Sequence, residues 1–422
     1  MSSITASAAG VPHIDTEASP RHAPLGFNAF VALMAGLMAL NALAIDIMIP
    51  GLPAIEAAFG LAHPNQAQTV ITAYLLGFGI GQLFTGVLAD RYGRRPVLLV
   101  GLVLYGISGF ACLAAPDMGA LLAARFVMGL GSAAPRVVAV AAVRDCYGGR
   151  RMARVMSLVM MVFMAMPIVA PAIGQVVLLT LSWHWVFGLL VIYSGLVFVF
   201  CLYRLPETLR PEYRRPIRVG AIREALGSIL GSRQTVGYML STGTFFGAMF
   251  GFVNSAEQVM GEVLGLGHWF PAVFAVTAGS IAMASFINSR LVERFGMRLL
   301  SHLAATTFVL ISLGLLGLGL SGLTSAWLFV PLISANMLFV GMVFSNFNAL
   351  AMEPQQHVAG IASSLIGAVT VLLGACIGYL IGQAFDGTFV PMTAGFALSG
   401  TATLLIIAIT ERGRLFHPGD SI

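Results

Sequence analysis

The chain has 422 residues, 58% of them hydrophobic and only 9% charged, with a net charge of +5, whereas soluble domains carry about 25% charged residues. This excludes a soluble globular domain. The basic residues alternate between loops rather than gathering on one patch, which sets nucleic acid aside, and every basic residue is Arg, so a phosphate-loop ATPase, which needs Lys, is excluded too.

Residues 1–27, rich in Ser, Ala, Pro and His, lack a basic stretch followed by an apolar core and read as a disordered cytoplasmic tail rather than a cleaved signal. Crossing a bilayer takes about 20 apolar residues. Such runs lie at 28–50, 66–89, 96–115, 119–143, 153–178, 185–203, 234–257, 269–289, 299–321, 325–350, 357–382 and 388–410, which predicts twelve spans. The first carries Asn41 and Asp46, and the second carries Tyr74 and Gln82 and ends in GVLADRYGRR (86–95). The fourth holds Arg125, Ser132 and Arg136; the fifth holds Met156, Met160 and Met164, then Pro167, Pro171 and Gly174. A Pro- and Arg-rich connection, 205–233, follows the sixth. Beyond it come GTFFGAMFG (243–251), Asn254 and Gln258 at the seventh span, RLVERFGMR (290–298) after the eighth, Asn336 in the tenth and GACIGYLIG (374–382) in the eleventh. Glycine every fourth residue gives a flat face for close helix packing or for rocking. GFGIGQ (77–82) lies inside a span with no strand before it and is not a dinucleotide loop.

Every Arg outside the spans lies in the N-terminal tail, in a connection after an even-numbered span, or at the C-terminus. The positive-inside rule then places both termini in the cytoplasm. In RLVERFGMR, Glu293, Arg294, Gly296 and Arg298 fall in line with Asp90, Arg91, Gly93 and Arg95. The chain therefore reads as an all-α membrane protein of two pseudo-symmetric six-helix bundles, 28–204 and 234–410, with 205–233 as cytoplasmic linker and 411–422 as cytoplasmic tail. Parallel halves of this kind hold their substrate cavity at their interface near the midplane.

Only Asp46, Arg125 and Arg136 place charge deep in the spans of the first half. A carboxylate there costs about 2.5–3.5 kcal/mol even on the gentler insertion scale. Burial favours the neutral form of such a group and a nearby guanidinium the charged form, so a carboxyl between those influences can exchange a proton; a static Asp46–Arg125 pair joining two spans is the alternative. Arg125 and Arg136 are eleven residues apart, close to three turns or about 16 Å, and point the same way. Arg does not deprotonate, so both supply fixed positive charge. Arg136 reads either as cavity-lining or as snorkelling to the cytoplasm. Asn41, Tyr74, Gln82, Asn254, Gln258 and Asn336 are cavity-wall candidates or interhelical glue. Cys112, Cys146, Cys201 and Cys376 lack metal or redox spacing. No metal site is expected, and no Ser/His/Asp, HExxH or paired-carboxylate arrangement suggests an enzyme.

The loop after the second span resembles the GxLADRxGRR signature of the major facilitator superfamily, matched by Gly86, Leu88, Ala89, Asp90, Arg91, Gly93, Arg94 and Arg95. LNALAIDIMIPGLPAI (40–55), ARFVMGLGSAA (124–134), MPIVAPAIGQ (166–175) and LPETL (205–209) are similar to the drug:proton antiporters of the bicyclomycin/chloramphenicol-resistance type, over most of the chain. MPIVAPAIGQ keeps Pro171 and Gly174 of the family's GxxxGPxxGG element, adds Pro167, and departs at the other glycines. The resemblance implies the major facilitator fold, alternating access, a proton gradient in place of any cofactor, and a proton and substrate site at Asp46 and Arg125. It also implies a cytoplasmic latch in which Asp90 pairs with an Arg across the two halves while Gly93 permits the turn. The expected partners are a small-molecule substrate, protons and membrane lipid, for a monomer in a bacterial inner membrane. The expected function is export of small amphipathic compounds or drugs; a dedicated exporter or importer of one metabolite or siderophore, and a transporter-like sensor without flux, are the alternatives.

Overall fold

The computed structural model describes residues 25–214 and 219–416. Most of the expected tail at 1–27, residues 417–422 of the other tail, and Arg215 and Arg218 of the linker lie outside the described residues. Among those described there is no strand, and twelve long helices carry the fold. In the first half they are α1 (Phe27–Asp46), α3 (Thr69–Tyr92), α4 (Arg94–Leu113), α5 (Met118–Cys146), α6 (Gly149–Thr180) and α7 (His184–Arg204). In the second they are α9 (Arg233–Glu257), α10 (Phe270–Phe295), α11 (Met297–Leu320), α12 (Ala326–Met352), α13 (Ala359–Gln383) and α14 (Val390–Thr410). Two short helices, α2 (Leu52–Phe59) and α8 (Val219–Gly231), complete the set. Counted as continuous apolar helical stretches the spans number eleven, because α12 and α13 join through a 3₁₀ turn at Glu353–Val358.

Prolines and glycines set where these helices break and how closely they approach. Pro50 has no N–H to offer the carbonyl four residues back, so α1 stops at Asp46 and the chain passes through a 3₁₀ turn at Ile49–Gly51 into α2. At the Arg-rich face, Gly93 (φ +105°) separates α3 from α4, and Gly296 (φ +76°) separates α10 from α11 in the same way. Both backbones lie in a region that favours glycine, so the repeat seen in the sequence is a repeat of local geometry. In α9 and α13 the four-residue glycine spacing serves close packing: Leu373, Ile377 and Ile381 sit against Gly243, Gly247 and Gly251.

The linker is more ordered than its composition suggests. Its second part is α8, where Arg223 and Glu224 are exposed and Ala225 and Ile229, four residues apart, are buried. Ser228 Oγ donates to Gln355 Oε1 (3.2 Å), which ties the helix to the turn between α12 and α13.

Each half has its own hydrophobic core. Ile49, Leu52, Ile71, Leu75, Phe78 and Ala133 of the first half belong to the core of the second, so the seam between the bundles is apolar over much of its length. Along it Gly79 meets Leu372 and Gly86 meets Ser364, while Ile168 of α6 approaches Gly279 of α10.

Helices α3 and α5 meet backbone to backbone. A Cβ at Gly77 would strike the carbonyl oxygen of Phe126, and one at Gly129 that of Tyr74. Overpacking of this kind costs about 1–3 kcal/mol, so Gly77→Ala and Gly129→Ala should each lower the melting midpoint in detergent. Gly195→Ala, where a Cβ meets nothing within 4 Å, should leave it unchanged; equal behaviour of all three would contradict this packing.

Candidate functional site

Asp46 closes α1 at the break that Pro50 imposes. It is 6% exposed and, among the described residues, makes no hydrogen bond or ion pair. The kink element of α6 packs beside it: Ala170, Pro171 and Gly174 are buried on one face, and a Cβ at Gly174 would run into the carbonyl of Ile47, next to Asp46. Pro171 and Gly174 therefore allow α6 to touch the break itself. Pro167 lies one turn earlier and is half-buried.

The two arginines of α5 stand on one ladder of aromatic rings. Arg125 is fully buried. Its Nη2 donates to the carbonyl of Ala44 (3.1 Å) and its Nε to that of Val70 (3.1 Å), while its guanidinium lies 4.5 Å from the centre of the Tyr74 ring and 5.8 Å from that of Phe187. Ala44 is in the last turn of α1, whose terminal carbonyls have no partner within the helix, so the break beneath Asp46 supplies an acceptor for Arg125. Arg125 thus reaches the backbone of α1 two residues before Asp46, and no ion pair joins the two side chains. The Tyr74 ring stacks on Phe78 one turn along α3 (6.5 Å, 8° between planes), and Arg136 lies 5.8 Å from Phe78 and 5.4 Å from Phe163 of α6. Asn41 Nδ2 donates to Tyr74 Oη (3.1 Å) and to Ser132 Oγ (3.4 Å), which joins α1, α3 and α5.

The other polar candidates go to separate places. Gln82 faces the seam, with its Oε1 beside Gly367 and its Nε2 without a partner among the described residues. Asn254 is 1% exposed, and among the described residues neither of its amide atoms is bonded. Asn336 donates to Ser312 (2.9 Å) within the second half and acts as glue between α11 and α12. Gln258 belongs to a clasp on the face opposite the Arg-rich loops, where its Oε1 accepts from Gln68 Nε2 (2.5 Å) and its Nε2 donates to Asn65 Oδ1 (3.1 Å). Asn65 Nδ2 also donates to the carbonyls of Gln383 (3.1 Å) and Phe385 (2.9 Å), and Gln383 returns a bond to the Asn65 carbonyl (2.6 Å). These amides close that face by direct bonds between the halves.

On the Arg-rich face, Arg94 Nη1 donates to Asp90 (2.5 Å) and its Nε to Asp145 (3.0 Å), so Asp90 pairs within its own half and not with an Arg across the seam. What Asp90 meets from the other half is the start of α13: a Cβ on Gly360 would sit 3.9 Å from its Oδ2. Among the described residues no hydrogen bond or ion pair joins Asp90 to the second half, so the expected cross-half pair is replaced by the local one to Arg94. Glu207 of LPETL accepts from the backbone N–H of Arg94 (2.8 Å) and Arg95 (3.3 Å), capping α4, and lies so close to Gly93 that no side chain fits there. Arg95 donates to the Leu202 carbonyl (2.7 Å), and Arg91 is exposed over Tyr92. In the second half Arg298 pairs with Glu411 (3.2 Å) and Glu353 (3.5 Å), while Glu293 and Arg294 are exposed. The sequence reading missed Asn65, Gln68, Gln383, Asp145, Phe78 and Phe163. The only local signal was the Arg144-Asp145 pair at the end of a span.

A family model described as Major Facilitator Superfamily matches residues 34–379. The chain is 34% identical over 381 residues to the Bacillus subtilis protein called uncharacterized MFS-type transporter YdgK, covering 88% of this chain and 93% of that one. It is 30% identical to the bicyclomycin resistance protein homolog of Haemophilus influenzae, covering 90% and 94%. The E. coli xylose transporter XylE, in a partially occluded inward-open conformation, superposes with a TM-score of 0.72 at 14% identity over 94% of this chain and 99% of that one; at that identity the likeness concerns the fold.

An ammonium cannot bridge both carbonyls that hold Arg125 while lying flat on the Tyr74 ring. Arg125→Lys should therefore cost about 2 kcal/mol, the scale of a hydrogen bond to a charged group, and lower the melting midpoint in detergent by several degrees. A melt like that of the parent would contradict the assigned role.

Proposed function

We propose, for a chain that belongs to the major facilitator superfamily, that it exports small amphipathic compounds, drugs among them, in exchange for protons. Membership makes it a multi-pass membrane transporter of a small molecule and not an enzyme, and transporters of this type need no cofactor. The proposal concerns what is moved, in which direction and on what energy. Its support from the relatives is the protein named for bicyclomycin resistance. Its support from the molecule is a single observation: a buried carboxyl group, Asp46, with no partner among the described residues, at a helix break that the proline-bearing helix α6 touches.

A buried carboxyl group without a fixed partner is most stable neutral and becomes charged when water or a cation reaches it. Tilting of the bundles changes which side reaches the α1 break, so Asp46 takes a proton from one side and releases it to the other. Arg125, anchored to Ala44 and Val70, holds positive charge near the break without neutralising the acid. Opening the Asn65–Gln68–Gln258–Gln383 clasp and holding the Asp90–α13 contact define one state; the reverse defines the other. The alternation of Arg-rich and Arg-free connections favours a bacterial inner membrane with both termini cytoplasmic, and a site built within one chain suits a monomer.

Expressed in an efflux-deficient bacterial host, the protein should raise resistance to several chemically unrelated compounds. In inside-out vesicles each such compound should trigger proton release. Asp46→Asn should abolish both effects in protein that still reaches the membrane. A shift for one compound alone would indicate a dedicated exporter, and full resistance with Asp46→Asn would remove the acid from the mechanism.

A further inference from the structure

Arg136 differs from Arg125, the other cation deep in the spans of the first half. It has no hydrogen bond and no carboxylate within ion-pair distance among the described residues, and it is neither fully buried nor free in water. Arg125, eleven residues earlier on the same helix, has backbone carbonyls for two of its nitrogens and no exposure at all. The Arg136 guanidinium is held sideways between the Phe78 and Phe163 rings rather than reaching along the helix toward the Arg-rich face, so it does not snorkel. Phe78 belongs to the hydrophobic cluster of the second half, which places the pair at the seam between bundles. Arg136 is also some ten residues, or about 15 Å, from the end of α5.

Resting on the reading of this chain as an exporter, we infer that Arg136 is the anion-recognising group of the substrate site, and that the transported compounds include amphipathic organic monoanions: a flat apolar body bearing a carboxylate. An unpaired guanidinium presents a planar fork of donors that matches a carboxylate by two parallel bonds. The rings of Phe78 and Phe163, which already flank it, offer faces for the apolar body. Arg125 does not serve the same anion because it is fully buried, with its Nε and Nη2 held by backbone carbonyls, so the site holds one negative charge and not a multiply charged phosphate. The same cation repels organic cations from this position. Met160 of α6, half-buried one turn before Phe163, adds a soft wall that adjusts to differing shapes.

Binding in the absence of any gradient tests this independently of transport and of Asp46. The probes are 2-naphthylacetate and its uncharged isostere 2-naphthylacetamide, titrated calorimetrically into the full-length protein in detergent. The parent should bind the carboxylate at least about tenfold more tightly than the amide. Arg136→Gln should erase that preference by weakening the carboxylate about tenfold and the amide less than about twofold, and Arg136→Lys should keep part of it. Both variants are compared at equal monodispersity and melting midpoint. The inference is overturned if the parent binds both probes alike or neither, if Arg136→Gln weakens both equally, or if added phosphatidylglycerol displaces the carboxylate and so assigns the position to a lipid headgroup.

Discussion

Hydrocarbon does not solvate charge, and the placement of this protein's few intramembrane charges follows from that constraint. Arg125 is answered twice over, by carbonyls that a helix break leaves free and by the face of Tyr74. Cation–π contact supplies part of what water would have supplied, and the hydroxyl of the same tyrosine is fixed by Asn41. The result is a rigid positive charge close to the break in α1. Asp46 and Arg136 lack such answers among the described residues, and in the proposed mechanism their partners arrive and depart.

The backbone devices that create these positions also connect them. Pro50 ends α1, which frees the Ala44 carbonyl for Arg125 and exposes the Ile47 carbonyl to Gly174. A shift of α6 against α1 therefore reaches Asp46 and its surroundings directly. The same α6 carries Phe163 against Arg136 and Ile168 against the second bundle, so both unanswered charges border one helix that spans the seam. At the two faces the halves are held by different chemistry. Neutral amides join them on one side, and on the other a carboxylate lies beside the start of α13 without a bond to it. Both are contacts of modest strength, as alternation between states demands.

Much of this was legible in the chain. Twelve apolar runs, the alternation of Arg, and the repeat of Gly93 at Gly296 follow from local composition and spacing, and the helices fall where those patterns put them. Asp46, Arg125 and Arg136 stood out because charge in an apolar run is conspicuous. The clasp did not, because Asn65, Gln258 and Gln383 are ordinary polar residues at helix ends whose pairing spans 190 residues or more. The partner of Asp90 was misjudged because the Arg that takes it, Arg94, stands four residues on in the same motif, and nothing in the motif says whether the pair closes locally or across the halves. Phe78 and Phe163 are indistinguishable in sequence from core residues until Arg136 is seen between them. Helix α8 was hidden by the prolines and arginines that precede it.

The account turns on whether Asp46 changes protonation while buried. Infrared difference spectroscopy of the full-length protein, reconstituted and stepped between acidic and alkaline buffer, observes the carbonyl stretch of a protonated carboxyl group. The account predicts a band that is lost on the alkaline step, moves when a transported compound is added, and is absent from Asp46→Asn. A spectrum in which that variant and its parent are indistinguishable across the range would contradict it.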